Sequence, residues 1–164
     1  MKKIIMIGIP ILIIVLLLIG YHKYIYVPAG AAYNLKFDDL RKETNGNVNE
    51  IKTELTKNGI HTRISFQKVG NSVTYHFKAI NNGTIPAKLA LKPKLLSLDY
   101  MFKKNIFTTL TYENNEEIKK GDMINPGEEK ELKLEIIFQE EGEMAGKDGY
   151  DYEVTGFLLY LQKR

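Results

Sequence analysis

In ELKLEIIFQE (Glu131–Glu140), Leu132, Leu134, Ile136 and Phe138 fall at every second position, with Lys133 and Glu135 between them. A strand turns successive side chains to opposite faces, so this period predicts a β-strand with one buried and one wet face. A helix needs apolar residues three and four apart instead. This strand decides the fold class because its period recurs along most of the chain.

Working outward toward the N-terminus, Pro126-Gly127 supplies a strong turn signal, and a short edge segment is expected at Met123 and Ile124. IFTTLTYE sets Ile106, Thr108, Leu110 and Tyr112 on one face of a strand. VTYHFKAIN turns Val73, Tyr75, Phe77 and Ala79 inward, and IHTRISFQK does the same with Ile60, Thr62, Ile64 and Phe66. YNLKFDDL alternates Tyr33, Leu35 and Phe37 against Asn34, Lys36 and Asp38, while IPAKLALK sets Ile85, Ala87, Leu89 and Leu91 in period two. Between these last apolar runs and VTYHFKAIN lies NNGT (Asn81–Thr84), whose Asn82-Gly83 accepts positive φ and reads as a surface corner.

Three stretches read differently. Arg41–Gly59 is polar and rich in Asn and Gly, which predicts a long loop with at most a short strand or helical turn around Val48–Leu55. Pro93–Asn105 fits a short helix or an irregular crossover. Beyond the polar loop Glu140–Gly149, the run YEVTGFLLYLQK (Tyr152–Lys163) predicts one closing strand. About seven or eight strands with frequent turn signals, and no long amphipathic helix, make the expected domain an all-β, antiparallel, Ig-like β-sandwich over residues 33–164.

The first residues obey another rule. Ile4 to Gly20 carries no charge, and as a helix it would span roughly 25 Å, close to the hydrocarbon core of a bilayer. Tyr21, Tyr24 and Tyr26 suit the interfacial belt, and Pro10 is tolerated in a membrane helix. Lys2 and Lys3 precede the run, so the N-terminus stays cytoplasmic and the remainder is exported. Residues 1–26 therefore read as a signal anchor that meets the lipid bilayer through residues 4–20, and 27–32 as a linker. The alternative is a secreted protein released by signal peptidase at an A-x-A site made by Ala29 and Ala31. The apolar run is longer than most cleaved leaders, and Ala31 lies well beyond its end, which favours retention.

The 23 basic residues include Lys2, Lys3 and Lys23, and without these three the basic and acidic totals are equal. A balanced exported part gives no electrostatic case for nucleic acid. With no Cys, the domain holds together without disulfides, and a thiol nucleophile is excluded. Neither a G-x-S-x-G elbow nor a Gly-rich phosphate loop is present, and Ser65, Ser72 and Ser97 sit in strand or turn contexts, so no catalytic residue and no cofactor is expected.

Three histidines occur, His22, His61 and His76. The last two lie on strands expected to be neighbours, where they could face one another. The oxygen-rich stretch Glu140 to Glu153 offers Asp148, Asp151 and Glu153 as the ligands of a calcium loop, although the EF-hand spacing is missing. Its plainer reading is a solvated loop. Asn82-Gly83-Thr84 also matches a glycosylation sequon, here read as turn chemistry.

GNSVTYHFKAINNGTIPAKL followed by GDMINPGEEKELKLEIIF resembles the small exported β-sandwich proteins of low-GC Gram-positive bacteria, the TasA/camelysin-like surface and matrix proteins and their relatives. The matching positions are Asn81–Thr84, Gly121-Asp122 and Pro126–Glu128. The resemblance implies a surface location, contact with another surface or matrix protein or with self, and no enzymatic activity. It also implies possible fibre formation, which a retained leader would oppose. Surface sandwiches of this kind include ones with a Lys–Asn crosslink. The expected role is thus a non-catalytic surface domain for structural or adhesive contact. The alternatives are a secreted matrix or fibre subunit and a module that binds a divalent cation or carbohydrate.

Overall fold

Alternating apolar residues need a second layer to hide their buried face, and this chain supplies it from its own strands. The computed structural model describes residues 32–97, 106–139 and 150–162. The strands are β1 (Leu35–Asn45), β2 (Val48–Thr56), β3 (Gly59–Phe66), β4 (Ser72–Asn81), β5 (Ala87–Leu89), β6 (Lys94–Ser97), β7 (Ile106–Tyr112), β8 (Met123–Ile124), β9 (Glu129–Phe138), β10 (Tyr150–Phe157) and β11 (Tyr160–Gln162). All pairings are antiparallel, in three sheets of order β1-β4-β9-β7, β2-β3-β10-β6 and β11-β5-β8. The described residues contain no helix, and hence none that could cross a membrane. The proposed anchor at residues 4–20 lies outside them.

The two four-stranded sheets pack face to face. Phe66 of β3 stacks on Phe138 of β9 with ring centroids 5.9 Å apart, and Tyr152 of β10 leans on both. Tyr75 of β4 reaches across the core, where its hydroxyl accepts from Thr62 of β3 (3.0 Å) and donates to Glu50 of β2 (3.4 Å). Every residue placed inward on β4 and β9, from Val73 to Ala79 and from Leu132 to Phe138, is buried. Ile60, Thr62, Ile64 and Phe66 are buried as well.

Register gives the sandwich two ends. Leu35, Asn81, Glu129 and Tyr112 share one end of the first sheet, and Asn45, Ser72, Ile137 and Phe107 the other. Gly46 and Asn47 join β1 to β2 at the second end, the far end. The small sheet β11-β5-β8 closes the first, the near end.

Six expectations are corrected. The described residues form eleven strands rather than seven or eight, because several are short segments of two to four residues. Lys94–Ser97, inside the stretch read as a short helix or irregular crossover, is a strand paired with β10. Arg41–Gly59 is not a long loop: β1 runs to Asn45 and β2 fills Val48–Thr56. Beyond Phe37, β1 is exposed along its whole length and slips register between Asp38 and Arg41, with Asp39 at φ 56°. Its pairing to β4 therefore depends on the backbone ladder rather than on buried side chains. The closing run is two strands, broken at Leu158-Leu159, where Leu158 N–H donates to Asn58 O and Leu159 O accepts from Ala90. Leu91 and Tyr33 are exposed rather than inward. Finally, β3 and β4 belong to different sheets, which separates His61 from His76.

Candidate functional site

Asn81 continues the inward phase of β4 after Val73, Tyr75, Phe77 and Ala79, so the strand's own period drives an amide into the core. A buried amide must be satisfied. Asn81 Nδ2 donates to Ile85 O and Ile124 O, both at 2.9 Å, and Oδ1 accepts from Gly83 N–H at 3.0 Å. Its backbone N–H donates to Glu128 O (3.1 Å), and its carbonyl accepts from Gly127 (2.9 Å). The NNGT corner and the Pro126–Glu128 turn thus form one assembly centred on a single side chain.

The same corner captures the start of the domain. Asn82 N–H donates to Asn34 O and Thr84 N–H to Ala32 O, while Ala32 N–H donates to Thr84 Oγ1 at 2.9 Å. Gly83 is required here, since a Cβ would stand 2.3 Å from Ala32 O. Nearby, the Tyr33 hydroxyl donates to Tyr160 O at 2.9 Å. Entry and exit of the chain therefore meet at the near end.

Beside this assembly opens a polar cleft of about 620 Å³, lined by Tyr112, Glu113, Asp122 and the outer parts of the 113–119 and 129–131 segments. The Tyr112 hydroxyl and Lys119 N–H both donate to Asp122 Oδ2 at 2.8 Å. Burial first, and then the Asp122 carboxylate, pushes the Tyr112 hydroxyl far above its ordinary range. Burial also raises Tyr160, to about 12. Ion pairing with Lys92 holds the Glu117 carboxyl below the usual range, and Lys130 with the Asn125 N–H does so for Glu128. Lys78 bonds Glu129 at 2.9 Å, and His76 Nδ1 lies 2.8 Å from Glu113. The carboxylates of Glu113, Glu117, Asp122 and Glu129 are thus each engaged by a cationic, N–H or O–H partner, an arrangement suited to holding this end of the fold together.

Of the residues singled out for calcium, Asp148 lies outside the described residues. Asp151 is exposed on β10 with Arg63 Nη2 at 3.3 Å, and Glu153 faces His61 Nε2 at 3.5 Å. Among the described residues no three His, Asp or Glu side chains converge as a metal site would require. His61 also meets Thr155 Oγ1 at 3.0 Å. His22, Ala29 and Ala31 lie outside the described residues. Lys133 Nζ donates to Asn115 Oδ1 at 2.6 Å, but Asn115 is exposed at φ 67°, whereas a Lys–Asn crosslink calls for a desolvated amine. Sequence reasoning passed over Asn81 as turn chemistry; its phase with the buried positions of β4 was the available signal. Comparison with protein-family models, with curated proteins and with solved structures finds no match to this chain.

Proposed function

We propose that this chain is a non-catalytic, single-pass membrane protein with a cytoplasmic N-terminus, presenting one Ig-like β-sandwich outside the cell for structural or adhesive contact. The Ig-like reading rests on strand order. The order β1-β4-β9-β7 follows an A-B-E-D sheet, and β6 beside β10 follows C beside F, with the β2-β3 hairpin occupying the place of G. The observation that carries the functional reading is the shared location of entry and exit, fixed by the Ala32–Thr84 and Tyr33–Tyr160 bonds. The far end, opposite the Ala32 attachment within the sandwich, is the one proposed for presentation and contact. Val69 and Phe107, both 45% exposed, lie at that end.

Protease added outside intact cells that express the full chain tests the topology. The expected result is loss of the sandwich domain from the cells, with the undigested protein retaining the mass of the whole chain. Complete protection from the protease would overturn the topology. A mature mass beginning at Ala32 would replace the anchored form with the secreted one.

A further inference from the structure

The chain contains three Asn-Gly pairs, Asn45-Gly46, Asn58-Gly59 and Asn82-Gly83, which share one latent reaction. The glycine nitrogen attacks the asparagine Cγ, a C–N bond forms, and the side-chain nitrogen leaves as ammonia. Water then opens the resulting succinimide at either carbonyl, giving aspartate or isoaspartate. The reaction needs the glycine nitrogen free to swing onto its neighbour's side chain, and the fold treats the three pairs differently.

Gly59 is buried at the start of β3, paired with Thr56 on one side and Phe157 on the other. Asn58 O is held by Leu158 N–H at 2.7 Å. Gly83 is buried too. Its N–H, the nucleophile, is engaged by Asn81 Oδ1 at 3.0 Å, and Asn82 N–H is tied to Asn34 O at 2.8 Å. Asn45 and Gly46 are both exposed, at the end of β1 where the chain crosses from one sheet to the other. This crossing is fastened through the next residue, by Asn71 Nδ2 donating to Asn47 O at 2.7 Å.

We propose that Asn45 is a deamidation site, while the fold protects the other two pairs from the same chemistry. Conversion places a new carboxylate at the far end. The isoaspartate form also lengthens the backbone where Asn45 pairs with Ser72. Any effect on contact rests on the proposed presentation of that end; the chemistry itself does not.

The test is peptide mapping by mass spectrometry of the intact chain aged in mildly alkaline buffer, folded and in denaturant. Folded protein is expected to convert Asn45 at least several-fold faster than Asn58 or Asn82, and denaturant to bring the three rates together. Faster conversion of Asn58 or Asn82 in the folded chain, or the same ranking persisting in denaturant, would overturn the assignment.

Discussion

The near and far ends of this sandwich are built from similar residues and put them to opposite use. Both contain a buried asparagine and a glycine corner. At the near end, Asn81 is wholly buried and makes three side-chain bonds that join the Gly83 corner, Ile85 and β8. At the far end, Asn71 donates one bond to Asn47 O, and Gly70 has open space around it. Similar sequence motifs thus differ in consequence according to how much chain passes over them. The near end receives the entering segment, the exiting strand and a third sheet, whereas the far end receives only turns among the described residues.

The sharpest way to break this comparison is to truncate both amides. Asn81→Ala leaves two buried carbonyls and one buried N–H without their partner, and is expected to cost about 3 kcal/mol. Asn71→Ala removes one bond and is expected to cost about 1 kcal/mol. Denaturant melts of the two variants measure the difference, and equal losses would remove the asymmetry.

Alkaline pH probes the near end in another way. The Tyr160 hydroxyl rises from 10.0 to about 12 on folding, mainly through burial. Its neutral form is therefore favoured in the folded state, and the associated stability is fully present below pH 10. The stability is lost as pH rises from 10 to about 12, because the unfolded chain releases its proton first. Tyr112 and Tyr33, raised by burial at the same end, act in the same direction. For Tyr160 alone the expected loss across that window is about 2 kcal/mol. Tyr160→Phe should flatten the pH dependence of the melting midpoint between those limits, and an unchanged slope would show that Tyr160 does not set alkaline stability.

The glycines give a smaller contrast with two distinct causes. Gly83→Ala drives a Cβ into Ala32 O and the Asn34 N–H, and displacing the entering segment is expected to cost about 2 kcal/mol. Gly70→Ala meets no neighbour but sits at φ 87°, so only left-handed backbone strain applies, about 1 kcal/mol. Thermal melts resolve the two.

How far the sequence discloses this asymmetry depends on what each strand buries. β3, β4 and β9 carry strict apolar alternation because both neighbours and the opposite sheet cover one face, and their inward residues were readable in advance. The part of β1 beyond Phe37 and the whole of β2 were not, because these edge strands have solvent on most of their surface, and exposed strands have little reason to alternate apolar residues. The break after Phe157 left a faint mark in the run FLLY, where consecutive apolar residues spoil the period, but a period cannot show that the chain changes sheets. The near-end assembly was legible only in pieces. NNGT and NPGE each announced a turn, while the bonds from Asn81 to the second turn come from β4 and β9 lying side by side, a long-range pairing that neither motif encodes.

The smallest stability effect is expected at the far end, and it bears most directly on function. Val69 lies in the β3–β4 turn, and Phe107 shares the outer face of the first sheet with Ile137. Replacing exposed Val69 and Phe107 together by serine removes apolar surface without opening a core cavity, so stability is expected to change by less than about 1 kcal/mol. If that end makes the contact, cells displaying the double variant should lose most of their adhesion to cells displaying the unaltered chain. An exposed near-end change, Leu161→Ser, should leave adhesion intact. Equal adhesion by all three chains would move the contact surface away from the far end even if the difference in stability between the ends survived every other test.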